Sequence, residues 1–390
     1  MALKSQSFAA MEQAYHEPGS LVAEWKKQGG LAVGTLGSDV PEEILVAAGV
    51  LQVQVFGNPL ADAPLAERYL EKGFDPCTVS QFEQIVNGTR GYLDRLVVSN
   101  SSDALIRSYY YLRAIRKVEP HMPVPPLYFH DFLHTTSRMS GMYNRDRVFA
   151  MVREAEAWTG KAISTEMLRE ASALCNETRR LLHELNANRQ SAAPTVSGTQ
   201  MLKLIGASMV MPRESFNRLL QTFIDEVDSA DVREGVPVFV TGSPQDHSLL
   251  YEAIEQCGGH VAGEDHELGF RHVKDLVNEQ VDPIDGITDR YHLRSPVSGQ
   301  ATVSQRTADL VQAAAQANAQ AVVFYVHEKH DAISWDYPSA RKALEARGYS
   351  VLMLEDQPYG PITKEAQVKL AEFIRAVKEG RDIDVRTTEC

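Results

Sequence analysis

The chain has 390 residues, 44% hydrophobic and 23% charged, with 25 Gly and 18 Pro, a globular composition that excludes collagen-like, coiled-coil and wholly disordered classes and is long enough for two domains. Thirty-nine basic against 52 acidic side chains leave a formal charge of −13, which repels a polyanion and excludes nucleic acid as the main partner. No apolar run reaches the roughly 20 residues that span a bilayer, and MALKSQSFAAMEQAYHEPGS has no continuous hydrophobic stretch for a secretory signal, so the expectation is a cytoplasmic protein without a membrane partner.

In chain order, LAVGTLG, PEEILVAAG and VQVFGNP read as strand, helix and strand. Pro41 and two acids open that helix, the residue types favoured in a first turn. LDRLVVSN is a further apolar, β-branched run ended by the polar cluster SNSSD, and ALIRSYYYLRAI after it has helical spacing. PHMPVPPLYFHD is too proline-rich for a helix and leads into the next strand. NRDRVFAMVREAEAWTG, STEMLREASALCNETRRLLHELNANRQ and PRESFNRLLQTFIDEVDSA then repeat apolar residues at three- and four-residue intervals, which predicts a helical section with APTVSGTQ as a turn inside it.

From residue 235 the α/β rhythm returns. VPVFVTGSPQDHSLLYEAIEQCGGHVAGED reads as strand, polar turn, helix, Gly-Gly stop and strand. AQAVVFYVHEKHDAISWDYPSARKALEARGYSVLMLEDQ is a second unit whose helix ends near Gly348. ITKEAQVKLAEFIRAVKEG is a closing helix, and RDIDVRTTEC a loose tail.

The expected class is α/β: two similar Rossmann-like or flavodoxin-like α/β domains, 1–142 and 235–390, with a helical section, 143–234, between them. VGTLGSD lies beside VFVTGSPQD, and LDRLVVSNSSD beside AQAVVFYVHEKHD, so in each half strands end in Ser, Asp or His just before a helix. Ligands of open α/β sheets sit at the carboxyl ends of strands. Two such sheets facing each other predict a cleft lined by Ser38, Asp39, Ser101, Ser102, Asp103, Ser243, His327, His330 and Asp331.

Five segments carry a resemblance: PEEILVAAG with its FGNP strand end, DPCTVSQFEQIVNG, DRLVVSNSSDALIRSYYYL, GGHVAGEDHELGFR and VVFYVHEKHDAISWDYPSARKALEARGYSVLMLEDQ. Their order resembles the benzoyl-CoA reductase and 2-hydroxyacyl-CoA dehydratase subunit family, of the 2-hydroxyglutaryl-CoA dehydratase D-component kind. The resemblance implies two related subunits acting on an acyl-CoA thioester. It also implies a four-iron four-sulfur cluster held by three cysteines, and a separate ATP-dependent iron-sulfur activator that supplies a low-potential electron. Cys77 matches the first ligand of that pattern, but Ser102 with Asp103 and His330 with Asp331 stand where the family has cysteine-aspartate pairs. One thiolate of three holds a cluster less firmly, which points to the cluster being carried by a homologous partner subunit with intact cysteines.

The cofactor and metal candidates are therefore Cys77, Ser102 and His330, with Cys77 and His330 as a mononuclear alternative. Ser38, Glu43 and His327 are candidates for hydrogen bonding or acid/base work, as imidazoles titrate near neutral pH. Arg107, leading a basic stretch with Arg113, Arg116 and Lys117, suits CoA phosphates, with Asp103 and Asp331 beside the substrate. His266, Glu267, Arg271 and His272 read as a solvated turn. Cys175 and Cys257 read as core thiols and Cys390 as tail, and no CxxC pair occurs. Two further readings stay open: a non-redox lyase or hydrolase on the same fold, and a non-catalytic structural subunit.

Overall fold

The computed structural model describes residues 5–227, 230–293 and 301–381. Four strands of the first half, β1 (Ala32–Leu36), β2 (Leu51–Gln54), β3 (Arg95–Ser99) and β4 (Leu127–His130), form a parallel sheet in the order β2-β1-β3-β4. Four of the second, β5 (Val236–Gly242), β6 (Gly259–Glu264), β7 (Ala321–His327) and β8 (Ser350–Gln357), form another in the order β6-β5-β7-β8. Corresponding strands occupy corresponding places. Every residue of β1 and of β7 is buried, which is why these strands read as unbroken apolar runs: helices cover both faces of a parallel sheet.

Strand order reverses between β1 and β3, and again between β5 and β7. A glycine with positive φ follows β1, Gly37 at 103°, and another ends β5, Gly242 at 121°. A side chain would not fit at either place: a Cβ on Gly37 would lie 1.9 Å from Ser99 Oγ, and one on Gly242 2.2 Å from the Tyr325 carbonyl oxygen. Both turns thus need glycine for backbone conformation and for close approach to the neighbouring strand.

The expected helical section forms helices Arg138–Thr159, Thr165–Arg189, Gly198–Ser208 and Arg213–Val227. The turn read in APTVSGTQ ends earlier than expected. Ser197 and Gln200 make a reciprocal capping box that starts helix Gly198–Ser208 inside it. These helices complete the first sheet's core: Leu182, Ile205, Phe216 and Phe223 join Leu36, Val53 and Val98 in one buried cluster. Phe216 and Phe223 are fully buried, each contributing about 1.5–3 kcal/mol.

Helix Pro283–Leu293 was not legible in the sequence. It lies between β6 and β7 in the chain, yet Ile287 and Tyr291 pack with Val33, Val97 and Val148 of the first half. The second sheet is covered separately, by Leu250, Ile254, Leu370 and Phe373 on one side and by Leu310, Val311 and Leu344 on the other. Of the expected tail, residues 382–390, with Cys390, lie outside the described residues.

Candidate functional site

The carboxyl ends of both sheets open into one cleft of about 740 Å³. Ser38, Cys77, Ser102, Asp103 and Arg107 reach it from the first half, and His327, His330 and Asp331 from the second. The loops after Val98 and Val326 thus share a hollow with the thiol at residue 77. Asp39 and Ser243, expected on its wall, are buried instead, 0% and 1% exposed, and Glu43 does not reach it.

On the first-half wall, Ser102 caps helix Asp103–Val118, its Oγ accepting the Leu105 N–H at 3.2 Å. Asp103 occupies the first turn of that helix, where a negative charge suits the helix dipole. The Arg107 guanidinium stacks 4.3 Å from the Phe74 ring centroid and lies 3.9 Å from Glu71. Ser38 Oγ donates to Glu267 Oε2 at 3.4 Å. Behind it, Asp39 Oδ2 lies 3.0 Å from His134 Nε2, and burial pushes the Asp39 carboxyl up to about 6 despite a hydrogen bond from Ser99.

The second-half wall is built on Ser243. Its Oγ accepts the His327 N–H at 2.9 Å and sits 2.9 Å from His330 Nδ1. Burial, then the nearby His247, pushes the His327 imidazole down to about 4. That favours the uncharged imidazole at neutral pH, which suits hydrogen bonding or proton acceptance at the cleft wall. His327 Nε2 is buried without a hydrogen-bond partner among the described residues. Burial likewise lowers His330, against the opposing charges of Asp75 and Asp331.

Cys77 sits in the first turn of helix Pro76–Val86, which Asp75 caps by accepting the Thr78 N–H at 2.9 Å. A helix N-terminus ordinarily favours a thiolate. Here burial, then the charges of Asp246 and Asp75, push the thiol well above its ordinary value. Cys77 Sγ donates to Asp246 Oδ2 at 3.4 Å. That carboxylate also takes the Gly57 N–H at 2.7 Å and the Tyr359 hydroxyl at 2.8 Å.

Glu43 is fully buried in an ion-pair network away from the cleft. Arg179 Nη2 donates to Glu42 Oε1 at 2.5 Å and to Glu43 Oε1 at 2.6 Å, Arg213 binds Glu42 Oε2, and the Tyr291 hydroxyl donates to Glu43 Oε2 at 3.1 Å. Burial alone would raise the Glu42 carboxyl, but Arg213 and Arg179 outweigh it and hold it well below the carboxylate range. The expected acid/base role for Glu43 fails because its oxygens are committed to Arg179 and Tyr291. The turn at 266–272 is also not solvated: His266 and His272 are 2% and 4% exposed, His266 Nε2 lies 2.8 Å from the Tyr251 hydroxyl, and Glu267 and Arg271 line the cleft. Cys175 is buried, as expected, and Cys257 packs partly buried against the second sheet's core.

A cluster bound by three protein thiolates does not fit this chain's cleft. Cys77 is the one cysteine among its lining residues, Ser102 Oγ is spent on a helix cap, and His330 Nδ1 faces Ser243. A mononuclear site on Cys77 and His330 fares no better. Among the described residues the set of three His, Cys, Asp or Glu ligand atoms close enough for one ion is Glu42, Glu43 and Cys175, and there Arg179 and Arg213 already supply the positive charge. Sequence reasoning missed Asp246 and Tyr359. The match of VGTLGSD to VFVTGSPQD was a signal for Asp246, since it stands in the switch-point loop of the second half.

The family model for the 2-hydroxyglutaryl-CoA dehydratase D-component matches residues 38–376. The chain is 20% identical over 356 residues to the beta subunit of (R)-phenyllactyl-CoA dehydratase of Clostridium sporogenes, covering 90% of this chain and 93% of that one. It is 21% identical over 351 residues to the beta subunit of (R)-2-hydroxyglutaryl-CoA dehydratase of Acidaminococcus fermentans, 84% and 88% of the two chains. A benzoyl-CoA reductase subunit of Thauera aromatica is 21% identical over 256 residues, 64% of each. With the match running from just after β1 to the closing helix, the chain belongs to the 2-hydroxyglutaryl-CoA dehydratase D-component family.

Proposed function

We propose that this chain is one subunit of a heteromeric, cytoplasmic enzyme that acts on an acyl-CoA thioester in the manner of the 2-hydroxyacyl-CoA dehydratases and benzoyl-CoA reductases. The supporting observation is the cleft between two matched switch points, open to both sheets and lined by hydroxyls, imidazoles and one thiol. In this reading the electron enters through a homologous partner subunit with an intact cysteine set, served by an ATP-dependent iron-sulfur activator. A reduced cluster supplies one-electron chemistry that side chains lack.

The residues of this chain bind and orient. Ser38 gives up its long bond to Glu267, 3.4 Å, and turns its single hydroxyl proton to the thioester end. Arg107, over the ring of Phe74, presents its guanidinium to the phosphate end. Asp103 and Asp331 stand at helix starts on opposite walls and order polar groups between them.

A second reading, a subunit that shapes the complex without chemistry of its own, is favoured by the bond of Cys77 to Asp246 and the capping use of Ser102. Anaerobic isolation with partners retained, followed by iron and acid-labile sulfide analysis of each separated chain, tests the proposal. A brown complex that turns over an acyl-CoA, with iron on the partner and substoichiometric iron on this chain, is expected. A colourless complex, or four irons retained by this chain alone, refutes it. Loss of turnover in Ser38→Ala and Arg107→Met complexes of normal iron content favours the first reading, and unchanged turnover the second.

A further inference from the structure

Behind the cleft wall of the first half, four polar side chains stand in file. Ser101 lines the cleft, and its Oγ accepts from Ser99 Oγ at 3.0 Å. Ser99 lies beside the Asp39 carboxyl, and Asp39 Oδ2 is 3.0 Å from His134 Nε2. Ser99 and Asp39 are fully buried and Ser101 is 6% exposed. His134 is partly exposed, on a loop where Leu133, Thr135 and Thr136 are exposed. The file thus runs from the cleft, through the buried end of the first sheet, to an outer loop. Gly37 makes room for it, since a Cβ there would lie 1.9 Å from Ser99 Oγ and 2.8 Å from Ser101 Oγ.

The count of protons gives the file a direction. The Ser99 hydroxyl reaches the Asp39 carboxyl too loosely to complete Oδ1, a buried oxygen without a hydrogen-bond partner among the described residues. A bare carboxylate oxygen is costly in that place, whereas a carboxyl O–H there has Ser99 Oγ as its acceptor. Burial pushes the Asp39 carboxyl up to about 6 in the same sense. Burial, then His292, lowers the His134 imidazole, against the charge of Asp131. Ser99, His292 and Asp131 are the polar groups that face the pair. Asp39 and His134 therefore meet as neutral groups, with Nε2–H donating to Oδ2. With Asp39 donating to Ser99, Ser99 gives its one proton to Ser101. The Ser101 hydroxyl proton, with no acceptor among the described residues, is left for the cleft.

We propose that Ser101 is a catalytic proton donor of this cleft, and that Ser99, Asp39 and His134 are positioning residues that resupply it from the outer loop. An oxygen of the bound acyl thioester takes the Ser101 proton, Ser101 takes that of Ser99, and Ser99 takes that of Asp39. The Asp39 carboxylate then takes the Nε2 proton of His134, whose Nδ1 takes one from solvent. One O–H bond forms on the ligand, one proton leaves the solvent, and no electron moves. The identity of the acceptor rests on the proposed function, while the file belongs to this chain alone.

The first measurement needs neither partner nor substrate. Infrared spectroscopy of the full chain reads the carbonyl stretch of a protonated carboxyl, as wild type minus Asp39→Asn, between pH 5 and 8. The expected band fades as pH rises through about 6, where Asp39 loses its proton. In Ser99→Ala the carboxyl O–H loses its acceptor, so wild type minus Ser99→Ala at pH 5 should show the band displaced to higher wavenumber. No fading band, or no displacement, overturns the proposal. Should Asp39→Asn not fold, the Ser99→Ala difference decides by itself. The second measurement is turnover of the complex isolated with its partners. Ser101→Ala and Asp39→Asn should each lower kcat at pH 6 at least tenfold, at unchanged KM and iron content. Wild-type kcat should fall as pH rises through about 6, and Asp39→Asn should lack that fall. Wild-type kcat in Ser101→Ala overturns the relay and leaves the proposed function standing. A complex without acyl-CoA turnover refutes the proposed function, and the infrared bands then decide the relay.

Discussion

Arg179→Met tests the buried network behind the cleft. Two carboxylates, Glu42 and Glu43, face two guanidinia, Arg179 and Arg213, with Arg179 only 1% exposed. Removing Arg179 leaves Glu42 with Arg213 but Glu43 with the Tyr291 hydroxyl alone. One buried negative charge is then uncompensated, a cost of about 3–5 kcal/mol. The loss at Asn176 is smaller, because its Oδ1 keeps the Val277 N–H at 2.9 Å. Adding Glu43→Leu removes the surplus charge and leaves the Glu42–Arg213 pair intact. The double variant then lacks chiefly the acceptor of the Tyr291 hydroxyl, about 1 kcal/mol. Urea unfolding read by far-ultraviolet circular dichroism at pH 7 therefore ranks wild type, double variant and single variant in falling order. The pH dependence has a defined sign. The folded-state Glu42 carboxyl lies below its ordinary 4.5, so its contribution is complete above that value and is lost as pH falls further. The gap between wild type and Arg179→Met should narrow below pH 4.5, by up to about 1.4 kcal/mol per pH unit. A double variant less stable than the single one, or a gap that widens in acid, refutes the reasoning.

Asp39→Asn should stabilise the chain in mild alkali. Burial lifts the Asp39 carboxyl from 3.8 to about 6, so its favourable protonated form is fully present below 3.8 and lost as pH rises through 6. The ionised form then costs about 3 kcal/mol, which urea melts at pH 8 should show returned by the amide and absent at pH 3.5. Equal stabilities at pH 8 would show that Asp39 is not strained by ionisation. Ser102→Ala should cost about 1 kcal/mol through loss of the helix cap, and Ser102→Asp should restore most of it. Thermal denaturation without loss in the alanine variant would mean that Ser102 is not spent on capping.

Much of the fold was legible because periodicity is local. β1, β3, β5 and β7 are buried on both faces and so appear as uninterrupted apolar runs. The long helices repeat apolar positions at helical spacing and begin at Ser137, Ser164 and Ser197 caps. The cleft's position followed from strand ends alone, and Ser38, Cys77, Ser102 and His330 do share it. Helix Pro283–Leu293 was missed although Ile284, Ile287 and Tyr291 have helical spacing, since the core it enters belongs to strands more than 180 residues earlier.

The sequence by itself determined the alternation of strands and helices, the likeness of the two halves and the loops that carry polar groups, because each follows from which neighbours along the chain share a face. Tertiary structure decided what those polar groups do. Glu43 faces Arg179, 136 positions away, and Cys77 faces Asp246, 169 positions away. A carboxylate near a guanidinium becomes a buried ion pair, and a thiol against a carboxylate becomes a hydrogen-bond donor. Charge state depends on distance through space in a low-dielectric interior, and residue order along the chain does not specify that distance.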